Sequence, residues 1–177
     1  MATMKKSKKT AAICVLASIL LITASLLLST TQAAAETVKY RTVGVFTKFE
    51  YIDVGEVEGQ PLGIGLYEMK GLNMYENGEI AIYKGWGQVQ LTVGARGFGL
   101  TTFEDGSTQW AKYQSPPGTP GEGGEVKFEI LKGTFEYIGG TGRFEGIKGK
   151  GSYTGKLFED HGVIYLDSTA EYTLPPQ

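Results

Sequence analysis

The sequence of 177 residues contains one cysteine and one histidine. Cys14 lies in an N-terminal apolar run that we expect to be removed on export, so the remaining domain has neither a disulfide nor a reactive thiol. His161 stands beside Glu159 and Asp160 in a predicted turn, and a metal site there would need ligands from other loops. We interpret His161 as a surface residue, and the sequence predicts no metal site.

Motifs of nucleophilic catalysis are absent as well. The sequence has no Gly-x-Ser-x-Gly elbow and no serine–histidine pair with the spacing of a hydrolase family. Hydrolysis by a nucleophilic triad is therefore excluded.

After residue 35, no stretch keeps a helical period of apolar residues for three turns. Apolar and polar residues mostly alternate instead, and turn signals such as Asn77-Gly78 separate the alternating runs. About eight strands with one apolar face are typical of an antiparallel barrel or sandwich. The predicted strand regions are 38–53, 62–66, 72–75, 80–83, 88–93, 97–103, 107–113, 126–137, 151–158 and 164–174.

The N-terminus has the three parts of a secretory signal peptide. Four lysines between residues 5 and 9 precede an apolar run over 11–28, and Ala33 to Ala35 supply small residues for a signal peptidase. We predict a signal peptide over residues 1–35, cleavage after Ala35 and a secreted or periplasmic protein. The alternative is an uncleaved anchor, which the polar residues within the run disfavour.

Cleavage would change the charge of the chain. The 17 basic residues of the whole sequence fall to 13 without those four lysines, against 19 acidic residues, which gives a formal net charge of −6. A negative net charge argues against nucleic acid and anionic lipid as partners, so we expect no stable membrane association after cleavage. Residues 36–177 suffice for a single domain, and they contain all 26 glycines.

A glycine-rich segment over 138–151 separates two predicted strands. Glycines at this density allow the backbone conformations of a tight turn, and one large apolar side chain in the segment can cap an end of the core. We therefore interpret this segment as a structural corner. The residues assigned to this corner are Gly139, Gly140, Gly142, Phe144 and Gly146.

The same segment imitates a dinucleotide-binding fingerprint through Gly140, Gly142 and Gly146. That fingerprint requires a helix directly after it, so that the helix N-terminus can hold a pyrophosphate. Here Gly149, Gly151 and further alternation follow, and no helix can form. The sequence therefore predicts no cofactor.

The residues Gly-Gly-Thr-Gly-Arg-Phe-Glu-Gly over 139–146, with Phe-Glu-Tyr-Ile before them and Lys148-Gly149 after them, resemble a strand–turn–strand unit of the allene oxide cyclase family. Dirigent proteins and bacterial barrels look similar in this unit. The resemblance covers residues 135–157 and implies an eight-stranded antiparallel calycin-like barrel.

Allene oxide cyclases hold a reactive fatty-acid epoxide inside the barrel and steer its ring closure largely by shape. The resemblance implies polar residues on the first strand and its following loop, and Glu50 is the one residue here in comparable surroundings. The asparagine that accompanies this glutamate in the plant enzymes is absent. Glu50 is a candidate catalytic residue, with an exposed carboxylate as the alternative.

Aromatic residues are spread over several predicted strands, and a small barrel either fills its lumen with them or leaves a cavity for one apolar ligand. Tyrosine and tryptophan need a polar partner when buried, and the glycines free space. Gly85 and Gly87 flank Trp86 where the alternation changes phase, so we expect a bulge there. The candidate ligand-binding residues are Tyr67, Tyr83, Trp86 and Tyr113.

Three functional hypotheses follow. The first is an exported barrel that binds a small apolar molecule in its lumen. The second is a cyclase or isomerase that confines a reactive lipophilic intermediate, and the third is a structural secreted barrel with a filled core. The state of the lumen separates the first two from the third, and a buried carboxylate beside the cavity would favour the enzyme.

Overall fold

The computed structural model describes residues 34–57, 60–90, 93–117, 119–120, 126–127, 131–158 and 161–176. Most of the predicted signal peptide, including Cys14, lies outside these residues, as do Glu159 and Asp160. His161 is exposed. No helix in the described ranges is long and apolar enough to cross a membrane.

The described chain is built of antiparallel β strands. Eight of them form a closed barrel in the order β1-β10-β9-β8-β5-β4-β3-β2, and β6 pairs with β7 in a separate two-stranded ribbon. The predicted eight-stranded antiparallel barrel is thereby confirmed. The strands are β1 (Glu36–Val57), β2 (Gln60–Tyr75), β3 (Ile80–Gln90), β4 (Gly94–Thr102), β5 (Thr108–Ser115), β6 (Thr119–Pro120), β7 (Val126–Lys127), β8 (Leu131–Thr141), β9 (Lys148–Phe158) and β10 (Val163–Thr173).

Strand β2 joins two regions that the sequence predicts as separate strands. The alternation is interrupted at Gly71, which looks like a break between them. In the barrel Gly71 lies against the backbone of Val43 and Gly44, and a side chain at this position would collide with the Val43 carbonyl. The glycine therefore permits a close approach of two strands and does not end one.

Strands β1 and β2 extend beyond the rest of the barrel. β10 pairs with β1 only as far as Val45, and β3 pairs with β2 only from Gly65 onward. The register of β1 shifts between Phe46 and Lys48. This bulge lies close to Gly44, where the alternation of apolar and polar residues in the sequence changes phase. Beyond this bulge β1 pairs with β2 alone, and before Gly65 β2 in turn pairs with β1 alone. We call this projecting part of the two strands, at the mouth of the barrel, the free ribbon.

The opposite end of the barrel is closed by a hydrophobic core. The Phe103 and Phe144 rings pack with their centroids 4.7 Å apart, and the Arg143 guanidinium lies 4.6 Å from the Phe103 ring centroid. The buried members of this core are Tyr75, Ala81, Phe103, Phe135, Tyr137, Phe144, Ile147 and Ala170.

The glycine-rich corner brings Arg143 to this closed end. The chain leaves β8 and makes a 3₁₀ turn over Gly142–Phe144, which begins at Gly142 with φ +61°. Arg143 forms ion pairs with Glu79, in the β2–β3 turn, and with Asp105, in the β4–β5 turn. One side chain thus connects three turns at this end.

Candidate ligand site in the barrel lumen

Burial alternates along the strands, and this alternation identifies the side chains that face the lumen. The pairing of β5 with β8 skips Ile138, which forms a bulge on β8. Odd-numbered residues of β2 to β5 and β9 face inward, as do those of β8 as far as Tyr137. Three of the four candidate ligand-binding residues, Tyr67, Tyr83 and Tyr113, therefore face the lumen. Tyr153 on β9 joins them.

Each of these tyrosines lies across a glycine on a neighbouring strand. Tyr67 pairs with Gly87, and Tyr113 pairs with Gly97. A Cβ atom on Gly87 would lie 2.7 Å from Cζ of Tyr67, and one on Gly97 would collide with the Tyr113 hydroxyl. The glycines therefore let the tyrosine rings lie flat against the inner wall of the barrel. Less of each ring then projects toward the barrel axis.

The same relationship holds at three further pairs. Tyr153 lies across Gly133, the Tyr83 ring lies close to Gly99, and Phe135 lies across Gly151. This repeated pairing gives a physical reason for the high glycine content of the domain. The glycines serve side-chain packing at these strand positions and not only turns.

The tyrosine hydroxyls form two hydrogen-bonded groups. The Tyr67 and Tyr113 hydroxyl oxygens are 2.7 Å apart, and the Tyr113 hydroxyl donates to the Trp86 carbonyl at 3.2 Å. The Ser115 and Tyr153 hydroxyl oxygens are 2.6 Å apart. The Tyr83 hydroxyl has no hydrogen-bond partner among the described residues, so it can bond to a ligand.

A buried polar layer lies beside these tyrosines, of which Tyr113 and Tyr153 also pack directly against the hydrophobic core. The Thr42 hydroxyl donates to the Asn73 side-chain oxygen at 2.7 Å, and the Asn73 amide donates to the Thr101 hydroxyl at 3.0 Å. Asn73 is only 1% exposed. Because the three side chains bond to one another, the layer is stable although it is buried.

Two tyrosines of the hydrophobic core have less well satisfied hydroxyls. The hydroxyls of Tyr75 and Tyr137 are buried and have no hydrogen-bond partner of good geometry among the described residues. Asn73 lies beside the first hydroxyl and Tyr40 beside the second. Both belong to the filled end of the barrel and not to its mouth.

The tyrosine-lined half is electrically neutral. Burial raises the pKa of Tyr67 to about 12, although its hydrogen bond with Tyr113 acts in the opposite direction. Burial also raises the pKa of Tyr83, Tyr113 and Tyr153. No described inward position of β2 to β5 or β8 to β10 carries a charged side chain. These groups can therefore orient a ligand by hydrogen bonds but cannot supply a carboxylate base.

The fourth candidate, Trp86, does not face the lumen. Strand β3 pairs with β2 and β4 along its length without a register shift, so the bulge expected at Gly85 and Gly87 is absent. The Trp86 ring lies on the outer face and stacks on Trp110, with ring centroids 6.2 Å apart. Placing Trp86 in the lumen was wrong, because the two glycines accommodate inward side chains of neighbouring strands and do not distort β3.

Glu50 also lies away from the tyrosines. It is exposed on the free ribbon and forms an ion pair with Lys48 at 3.6 Å. Its neighbours Phe49 and Tyr51 are the residues that face the lumen side of the ribbon, where their rings reach over Gly65 and Gly63. A catalytic role for Glu50 stays a prediction, and the structure does not bring it together with the other candidates.

Sequence reasoning missed Tyr153, Ser115 and the layer of Thr42, Asn73 and Thr101. A signal for Tyr153 exists, because glycines two residues before and after it share its side of the strand. The polar layer has no comparable signal. Its members lie on three strands, and only the register of the pairing brings them into contact.

The described barrel can be compared with known proteins. No protein-family model matches the chain, and no curated protein matches it in sequence. Among solved structures, it is similar to the pterocarpan synthase dirigent protein GePTS1, with 10% identity, a TM-score of 0.47 and coverage of 84% of this chain and 90% of that chain. The pterocarpan synthase dirigent protein PsPTS1 is 15% identical, with a TM-score of 0.41 and coverage of 82% of this chain and 99% of that chain.

Both neighbours are dirigent proteins, one of the groups that the glycine-rich segment resembles. At this identity the likeness concerns the barrel alone, and the fold itself is defined by the strand pairing described above. Membership of the allene oxide cyclase family remains a prediction.

Proposed function

We propose that this protein binds one small apolar molecule in the mouth half of its barrel. The observation that carries the proposal is the group of half-buried tyrosines on the inner face of the barrel: Tyr67, Tyr83, Tyr113 and Tyr153. Their rings offer apolar contact area, and their hydroxyls can fix the orientation of a ligand. A ligand with one hydrogen-bonding group would find the Tyr83 hydroxyl without a partner.

The free ribbon extends this site beyond the barrel. Phe49 and Tyr51 are exposed on its lumen side, above the mouth. Large exposed aromatic side chains beside a tyrosine-lined mouth favour an apolar ligand over a charged one. A ligand that fills the mouth would remove part of this aromatic surface from water.

The neutrality of the lumen favours binding over acid–base catalysis. The described inward positions of β2 to β5 and β8 to β10 offer tyrosines but no carboxylate, and Glu50 lies on the other face of the ribbon. A cyclase or isomerase in this lumen would therefore act by confinement alone. A structural barrel with a filled core describes the closed end, but it gives no reason for the half-buried tyrosines at the mouth.

We also propose that the protein works after export, because residues 1–35 carry the features of a cleaved signal peptide. An exported binding barrel would meet its ligand outside the cytoplasm. The working form would then be residues 36–177, which contain every strand of the barrel.

The test introduces a tryptophan either on the inner face of the barrel mouth or on its outer face. Residues 36–177 would be screened against a panel of lipophilic ligands by native mass spectrometry. Val89 faces the lumen beside Gly65, whereas the next residue, Gln90, faces outward. Val89→Trp should weaken retention of any bound ligand at least about tenfold by filling the mouth, and Gln90→Trp should not.

Two results would overturn the proposal. One is a panel from which the folded domain retains no ligand. The other is a ligand that binds the Val89→Trp variant as tightly as the wild type, which would place its site elsewhere. Circular dichroism of both variants checks that they remain folded.

A further inference from the structure

The outer face of β1 to β5 exposes an unusual number of large apolar side chains. Ile80 is 55% exposed, Ile82 is 54% exposed and Phe98 is 52% exposed. Such side chains normally point inward in a small barrel, and a connected apolar patch marks an interaction surface. We name this surface the apolar wall, defined by Val43, Val45, Leu72, Ile80, Ile82, Trp86, Phe98, Leu100 and Trp110.

The strand register makes the apolar wall continuous. Val43 pairs with Leu72 and Leu72 pairs with Ile82, so these side chains are direct neighbours across three strands. Leu100 pairs with Trp110, which stacks on Trp86. A groove in the outer surface is lined here by Leu66, Trp86 and Phe98 with Arg96 and Lys112. It continues across β8 to β10, where its lining includes Glu136, Lys150 and Glu171.

The charged side chains of the same face have one predominant sign. On β1 as far as Val45 and on β2 to β5, the outward positions carry six basic residues and a single acidic one, Glu68. Lys48 and Glu50 follow on β1 and pair with each other. The domain as a whole carries a net negative charge after signal cleavage. Its acidic residues are thus concentrated elsewhere. The basic residues are Lys39, Arg41, Lys70, Lys84, Arg96 and Lys112.

Lys70 and Lys84 form the centre of this basic face. They stand directly opposite each other on β2 and β3, and Val45 and Leu100 are their other cross-strand neighbours. Neither lysine has an acidic side chain within ion-pair distance among the described residues, whereas Arg41 pairs with Asp167 and Lys112 with Glu136. Like charges in directly opposite positions destabilise a sheet unless an anion lies between or above them.

We propose that the apolar wall docks on an anionic lipid bilayer. Trp, Phe, Ile and Leu side chains beside lysines are the composition that binds the interface of such a bilayer. The expectation that anionic lipid is not a partner follows from net charge, and it leaves out how the charges are distributed. This proposal concerns the outer wall and is independent of ligand binding in the lumen.

Two other occupants fit the same face less well. A second copy in a symmetric dimer would place the same patch on both sides and so bring the basic faces together. A soluble polyanion would pair with Lys70 and Lys84 but would leave Ile80 and Ile82 in water. Of these three occupants, the anionic bilayer alone offers both negative charge and an apolar phase.

The test measures binding of residues 36–177 to lipid vesicles by co-sedimentation. The vesicles contain either phosphatidylcholine alone or phosphatidylcholine with phosphatidylglycerol, at low and at physiological salt. We expect binding to the anionic vesicles, weakened by salt, and little binding to the neutral ones. Lys70→Gln with Lys84→Gln should lower the affinity about thirtyfold, which corresponds to about 1 kcal/mol per lysine.

The matched control is Lys132→Gln with Lys156→Gln, which removes one outward lysine each from β8 and β9, away from the groove, and should leave the affinity unchanged. Ile82→Ser should weaken vesicle binding without affecting retention of a lumen ligand. The proposal would be overturned if the protein did not bind vesicles, or if both double lysine variants lost the same amount of vesicle affinity. So would binding of a soluble polyanion that Ile82→Ser does not change, or self-association at micromolar concentration that Ile82→Ser abolishes.

Discussion

Tyr113 and Gly97 stand directly opposite each other on β5 and β4, and the tyrosine hydroxyl occupies the space that a side chain on the glycine would need. This hydroxyl then reaches the Trp86 carbonyl on the next strand and the Tyr67 hydroxyl beyond it. A missing side chain on one strand thus permits a hydrogen-bonded group that spans four strands. The arrangement of the tyrosines at the mouth therefore depends on the absence of side chains at the facing glycines.

Adding a methyl group at Gly97 tests this dependence. Gly97→Ala should lower the free energy of unfolding by about 1 to 3 kcal/mol, because the new Cβ atom meets the Tyr113 hydroxyl and the Trp86 carbonyl. Gly139→Ala is the control, since nothing lies within 4 Å of a Cβ atom there. Urea denaturation measures both variants. Equal stability of the two would mean that the facing glycine is not required.

The corner at the closed end should be needed for folding and not for binding. Gly142 has φ +61°, and a Cβ atom on Gly140 would meet backbone oxygens of Phe144 and Thr108. Replacing either glycine by alanine should cost about 1 kcal/mol or more and lower the melting temperature. Ligand affinity per folded molecule should stay the same. Unchanged stability with lost binding would make this corner a site.

Stability should fall at alkaline pH. Tyr67 has a pKa of about 12 in the folded protein, above the ordinary tyrosine value of about 10. Between these two values the unfolded chain releases a proton that the folded chain keeps, so the free energy of unfolding decreases as pH rises. The slope is about 1.4 kcal/mol per pH unit for each such tyrosine.

Urea denaturation between pH 8 and pH 11.5 measures this slope. We expect constant stability up to about pH 9.5 and a steep loss above pH 10. Tyr67→Phe should reduce the slope by about one proton. A stability that does not change above pH 10 would mean that these tyrosines ionise in the folded protein as they do in water.

The outer position of Trp86 gives a prediction opposite to the one that its flanking glycines suggest. Trp86→Phe should change the affinity for a lumen ligand by no more than about twofold, because the ring lies outside the barrel. Tyr113→Phe should weaken the affinity more, since it removes a lumen hydroxyl. Native mass spectrometry of both variants measures the difference. Loss of binding in the first variant alone would move the ligand to the outer face.

The alternation of residues predicts the barrel and most of its strands, because a face buried along eight strands repeats every second residue. The same pattern predicts that Tyr67, Tyr83 and Tyr113 share the inner surface. It fails at Trp86, where two flanking glycines resemble a bulge. Whether a glycine distorts its own strand or accommodates a neighbour's ring depends on the pairing register, and a single sequence does not contain that register.

Export can be checked directly. Expression of the full chain in a secreting host should yield a mature protein that begins at Glu36, because the small residues before it suit a signal peptidase. Intact mass and N-terminal sequencing of the exported protein determine the cleavage position. A mature chain that still contains Cys14 would contradict this prediction.

Closure of the barrel has a consequence for the order of events during synthesis. β1 pairs with β10 in a register that places Glu36 opposite Tyr172, so the closing contacts join residues far apart in sequence. Closing so long a loop costs chain entropy before the new contacts stabilise the fold. Closure of the barrel is therefore slow and comes at the end of folding. During synthesis, one edge of β1 stays unpaired until β10 has emerged from the ribosome. If the chain is exported as proposed, this delay would keep it unfolded enough to pass through a translocation pore, and it would become rigid only after β1 and β10 have paired.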